Sequence, residues 1–155
     1  MNEIMQAALK QAQDTMNKNI GGPFGAAIID ANGKVLAVAS NSVLRDNDPT
    51  AHAEVNAIRA ACKKIGSYDL SGCILYTTAY PCPMCLAAII WANIKKVYFG
   101  CRPSDAEAIG FRDDFIYRFI EDKCRNQEVM DIAELNRDEC LKLFQEYQEL
   151  NKTIY

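Results

Sequence analysis

Between residues 23 and 101, four short apolar runs of strand length are separated by a turn or by segments of helical spacing. "FGAAIID" and "KVLAVASN" flank the turn "ANG" and read as a β-hairpin. "CILYTT" reads as a buried strand and "KKVYFG" as another. Ahead of them, residues 2–18 place Ile4, Ala7, Ala8, Ala12 and Met16 near helical spacing, which predicts a helix, and "GGPFG" breaks it. "SVLRDNDPT" reads as a loop. Residues 51–65 form a helix with Thr50 as N-cap. "PMCLAAIIWAN" forms another, with Pro83 in its first turn. Residues 104–122 read as a loop and then a short helix around "DDFIYRFI". "EVMDIA" is expected to add a fifth strand, and "RDECLKLFQEYQEL" a last amphipathic helix. Strands alternating with helices imply an α/β fold, a five-stranded sheet with helices on both faces. With no repeat or linker, residues 1–155 are expected to form one domain.

Charge and apolar content narrow the function classes. No apolar run approaches the roughly 20 residues that span a bilayer, and the N-terminus has no signal-peptide core. No membrane partner and a cytoplasmic location are therefore expected. Seven cysteines cannot all pair within one chain, and reduced thiols are expected. A formal charge of −3 and a pI of about 5.2 argue against nucleic acid as a general partner.

The chain has one histidine, His52, in "TAHAEVNAI", and thirty residues later comes "PCPMC". Imidazole nitrogen and thiolate are standard zinc donors. Cys82 and Cys85, at i and i+3 at the start of a helix, can point at one ion, and the helix dipole favours their thiolate forms. His52 stands at the start of another helix. Three protein ligands leave one tetrahedral position open, as in a catalytic zinc site, and water there becomes a strong nucleophile near neutral pH. Glu54, two residues from His52, can take that water's proton. Read separately, a Cys-x-x-Cys is also a redox motif or half a structural zinc site. A fourth ligand from Cys62, Cys73, Cys101, Cys124 or Cys140 would close the site, although Cys62 and Cys73 look like buried small hydrophobes.

His-Ala-Glu followed by Pro-Cys-x-x-Cys resembles the signature of the zinc-dependent cytidine-deaminase superfamily. The resemblance runs from "GGPFGA" through "DPTAHAEVNAI" to "LYTTAYPCPMC". It implies a three-layer fold on a mixed sheet and one Zn2+ per chain on His52, Cys82 and Cys85, with Glu54 as the catalytic proton shuttle. "NDPTAHAE" with "GFRDDFIYRFI" resembles the bacterial guanine deaminases. That branch implies hydrolysis of guanine to xanthine and ammonia. It also implies a homodimer, including one that exchanges the C-terminal segment, residues 134–155.

The same resemblance suggests substrate contacts. Asn41 stands near the position of a substrate-binding amide, and the Ala53 N–H is a second contact. Phe24 and Trp91 are candidate walls, or else ordinary core aromatics. Tyr155 matches an aromatic end that covers the site. Asp113 is placed to accept the imidazole N–H that a nucleoside lacks. Its plain reading is a helix cap or solvated acid, and Asp114 competes for the same role. The chain departs from the branch at Tyr80, where Glu is usual, at Arg112 and at Ala87. Those departures keep a cytosine, guanosine or tRNA adenosine deaminase in view. A silent zinc-binding dimerisation module is the non-enzymatic alternative, and retention of Glu54 speaks against it.

Overall fold

Helix α1 (Glu3–Asn17) is capped by Asn2, whose side chain accepts from the N–H groups of Ile4 and Met5, both at 3.0 Å. This computed structural model describes residues 2–155; Met1, the first residue of the expected domain, lies outside the described residues. The buried stripe of α1 is Ala8, Ala12 and Thr15. These are small side chains, and they let the helix lie close to strand β1 (Gly25–Ile29). The closest approach is at Gly25, where a Cβ would stand 2.1 Å from the Ala8 carbonyl oxygen.

Every residue of β1 is buried. Alternation sends Gly25 toward α1 and Ala26 and Ile28 to the opposite face. There they join a core with Ala53, Ala57 and Ala61 of helix α3 (Ala53–Ile65), together with Leu70, Leu75 and Ile89. Full burial of side chains such as Ile28 and Leu75 contributes about 1.5–3 kcal/mol each. The result is three layers, with α1 on one face of the sheet and α3 on the other.

The sheet order is β2-β1-β3-β4. Strand β2 (Val35–Ser40) and strand β3 (Ile74–Ala79) both run antiparallel to β1. Strand β4 (Lys96–Cys101) runs parallel to β3, and helix α4 (Pro83–Trp91) connects them. The sheet is therefore mixed, and α4 begins just past the end of β3.

The expected fifth strand does not form. The N–H of Glu128 bonds to the Asn126 side chain, and those of Val129 and Met130 bond to the Asn126 carbonyl. A local turn thus consumes the donors that a ladder would need, and the sheet has four strands. Two further expectations shift. "SVLRDNDPT" contains a one-turn helix α2 (Val43–Asp46), and the region 104–122 contains two helices, α5 (Pro103–Ala108) and α6 (Asp114–Glu121). Helix α7 (Arg137–Glu149) follows as expected.

The chain divides into two compact units, one ending at Ile116 and one spanning Tyr117–Tyr155. Among the described residues no helix is long and apolar enough to cross a membrane.

Candidate metal and base-binding site

Two helix N-termini build the centre of the site. His52, not Thr50, is the N-cap of α3, and its side chain makes no capping hydrogen bond. Thr50 is instead engaged by Asp48, whose carboxylate accepts from the Thr50 N–H at 2.8 Å and its hydroxyl at 2.7 Å. The imidazole turns toward the N-terminus of α4, where Cys82 is the N-cap and Pro83 starts the helix. His52 Nδ1 lies 3.5 Å from Cys82 Sγ and 3.6 Å from Cys85 Sγ. A tetrahedral zinc with Zn–S about 2.3 Å and Zn–N about 2.0–2.1 Å sets an N···S span of roughly 3.6 Å. Both N···S separations therefore already match what zinc requires, and the three donor atoms all lie within 4.8 Å of one another.

Electrostatics agree with that fit. Hydrogen bonding from Cys85, then from His52, pulls the Cys82 thiol down to about 4. The Cys82 sulfur and burial push Cys85 far above the ordinary thiol range. Two sulfurs this close share a single proton in the absence of a cation, and a dication lets both ionise. The hydrogen bond with Cys82 also raises His52. Among the described residues only His52, Cys82 and Cys85 gather into a metal-ligating group. Cys62 and Cys73 belong to the core or pack against it, and Cys101, Cys124 and Cys140 are exposed. A zinc held by these three donors would keep a fourth position for water or substrate.

Glu54 is buried beside this group without joining it. One carboxylate oxygen accepts from the Thr77 hydroxyl at 3.0 Å, and the other from the Cys85 thiol at 3.4 Å. Burial raises its pKa above the usual carboxylate range. A carboxyl group in that condition can both take and return a proton.

The remaining residues separate into those near the centre and those away from it. Asn41 is buried, and its Oδ1 accepts from the N–H of Gly22 at 3.2 Å and of Val43 at 3.1 Å. The amide oxygen is thus committed to backbone, and Nδ2 is the group it can offer a ligand. Gly21 allows this packing, since a Cβ there would stand 2.2 Å from the Asn41 carbonyl oxygen and 2.3 Å from Oδ1. Ala53 is fully buried at the first position of α3, where an N–H has no acceptor within the helix. Phe24 meets Phe111 edge to face, with centroids 4.9 Å apart. Phe111 was missed by the sequence reading, although an aromatic two residues before Asp113 was a signal available to it.

Burial, then the charge of Cys82, raises the pKa of Asp113. Asp114 instead has Arg112 at 3.4 Å, and Arg112 also meets Glu107 at 3.5 Å. Tyr80 turns to Phe99 of β4, with ring centroids 5.0 Å apart. The structure does not bring Trp91 to the centre. It ends α4 at 73% exposure, about 9 Å along the helix axis from Cys85. Tyr155 is exposed in the second unit, and Ala87 is exposed on α4.

Comparison with known proteins bears directly on this geometry. The cytidine and deoxycytidylate deaminase zinc-binding region matches residues 1–101. The guanine deaminase of Bacillus subtilis (strain 168) is 45% identical over 153 residues, which is 98% of this chain and 97% of the relative. An X-ray structure of guanine deaminase from Bacillus subtilis superposes with a TM-score of 0.92 at 43% identity, covering 100% of this chain and 99% of that one. A tRNA-specific adenosine deaminase of Agrobacterium fabrum (strain C58 / ATCC 33970) is 38% identical over 106 residues, 68% of each chain.

Proposed function

Because the chain belongs to the cytidine and deoxycytidylate deaminase family, we propose that it is a zinc-dependent aminohydrolase that converts guanine and water to xanthine and ammonia. The observation that carries the choice of base is the level of identity held over the full length. A guanine deaminase is 45% identical over 98% of the chain, whereas tRNA-specific adenosine deaminases reach 38% over 68% or 33% over 92%.

His52 through Nδ1, with the Cys82 and Cys85 sulfurs, would hold one zinc. Zinc bound there supplies a Lewis acid that brings the pKa of a water toward about 7. Glu54 takes a proton from the attacking water and delivers it to ring nitrogen N3 as the oxygen bonds to C2. It then passes the second proton to the amino group, which leaves as ammonia. Thr77 holds one Glu54 oxygen; the other, which meets the Cys85 thiol, would be released toward the reacting atoms once a zinc holds Cys85 as thiolate. Asn41 Nδ2 donates to an acceptor on the base, and the Ala53 N–H gives a second donor. Phe24, with Phe111 against it, forms an apolar wall. Asp113 accepts the imidazole N–H, which favours the free base over a nucleoside that would leave the carboxylate unpaired.

The active form is a homodimer acting in the cytoplasm, with the C-terminal segment, residues 134–155, exchanged between subunits in a single deaminase domain of residues 1–155. Exposed Ile90 and Trp91 on α4, and the absence of any buried residue on α7, support this reading. In that dimer Trp91 lies at the subunit contact and Tyr155 covers the partner's site.

Ammonia release from guanine, guanosine, cytosine, adenine and tRNA tests the substrate. Guanine is expected to turn over fastest and to yield xanthine. Turnover of adenosine in tRNA with guanine inert would replace this reading by the second relative's activity.

A further inference from the structure

Asn56 lies one turn into α3, outside the residues that touch metal or base, yet its side chain reaches both parts of the site. Nδ2 stands 2.9 Å from the Ser40 carbonyl oxygen, 2.9 Å from Ser42 Oγ and 3.3 Å from the Ala51 carbonyl oxygen. Its own backbone N–H bonds to the His52 carbonyl at 2.9 Å. Ser40 and Ser42 flank Asn41, and Ala51 precedes His52.

The amide orientation is forced by its partners. Two of them are carbonyl oxygens. The third, Ser42 Oγ, gives its own hydrogen to Asp46 at 2.6 Å and must accept from Asn56. A flipped amide would set its oxygen against three acceptors. The Ser42 N–H also bonds to the Ala51 carbonyl at 3.0 Å, so the two segments are tied at adjacent points. Thr15 of α1 fixes the far end, donating to Ser40 Oγ at 2.8 Å.

We propose that Asn56 is a positioning residue for the reaction: its side-chain amide locks the segment presenting Asn41 to the segment presenting His52. This rests on the deaminase reading for its kinetic consequence, but the lock itself is a statement about backbone. Asn41 Oδ1 accepts from the N–H groups of Gly22 and Val43. Those two protons therefore report whether Asn41 is held.

The test is Asn56→Ala, read in three ways. Amide exchange at Gly22 and Val43 is expected to quicken at least about tenfold as local opening becomes easier. The kcat/KM for guanine is expected to fall about 10- to 100-fold, the scale of a small misplacement, with one zinc per chain retained. In an Asn41→Ala background, Asn56→Ala is expected to cost less than about threefold more, because a residue that acts through Asn41 has nothing left to position.

Wild-type exchange at both amides overturns the proposal, and so do penalties that multiply across the two substitutions. Asn56→Ser, which keeps one donor, carries the same three measurements if the alanine variant does not fold. A wild-type protein inert toward every base would sink the deaminase reading, and the exchange measurement would still decide the lock.

Discussion

A carboxylate that must take a proton and return it within one turnover works best when its pKa lies near the working pH. Burial moves Glu54 in that direction, and the Thr77 hydroxyl engages one of its two oxygens. Glu54→Gln keeps the shape and removes the proton shuttle. It is expected to retain one zinc per chain while kcat falls by at least about 10²-fold, measured by metal analysis beside steady-state kinetics. Gly21→Ala makes the opposite kind of lesion. Its Cβ would stand 2.2 Å from a backbone oxygen of Asn41, a separation that forces the segment to move. A loss of about 10²-fold in kcat/KM is expected, with zinc content unchanged. His52, Cys82 and Cys85 were legible in the sequence because metal chemistry restricts residue type and spacing together, and Glu54 is legible as a carboxylate two residues from the histidine, its proposed role resting on that placement. Asn56 and Gly21 were not. An amide bonded to carbonyls 5 and 16 residues away and a missing Cβ leave no local pattern.

At the scale of elements, periodicity located five of the seven helices among the described residues, and the four strands, to within a few residues; it passed over the short α2 and α5, and it failed where local hydrogen bonds compete with the ladder. "EVMDIA" has strand-like content, but the Asn126 turn takes its first donors. Thr50 is a good capping residue by type, yet Asp48 engages it and α3 begins two residues later than that cap would set. The other end of α3 closes on Gly66 at φ +69°, and no atom lies within 4 Å of where its Cβ would be. Gly66→Ala therefore meets no steric clash and costs only the left-handed backbone of a residue with a Cβ. The expected loss is about 1 kcal/mol in denaturant unfolding, with kcat/KM unchanged.

For the whole molecule, one ion joins the starts of two helices that lie apart in sequence, so metal and fold are coupled. Stripping zinc with a chelator is expected to lower Tm and to add the half-buried Cys82 to the thiols that react with a thiol reagent, joining the exposed Cys101, Cys124 and Cys140, with the fully buried Cys85 following more slowly. Ligand linkage gives the size: zinc at about 1,000 times its Kd contributes about 4 kcal/mol. An unchanged thiol count would contradict the assigned ligands. The sheet carries a further consequence. Strand β4, "KVYFGC", is hydrogen-bonded to β3 and lies at the end of the sheet order, with five of its six residues exposed. Lys96 is its one charged side chain. An edge of that length and composition is a template for pairing with other chains. If the proposed dimer buries Trp91, Trp91→Glu is therefore expected to yield precipitate rather than a well-behaved monomer, with light scattering rising as the proposed dimer's peak falls in size-exclusion chromatography. In a crowded cell the same strand would make prompt assembly of the proposed dimer a condition of solubility.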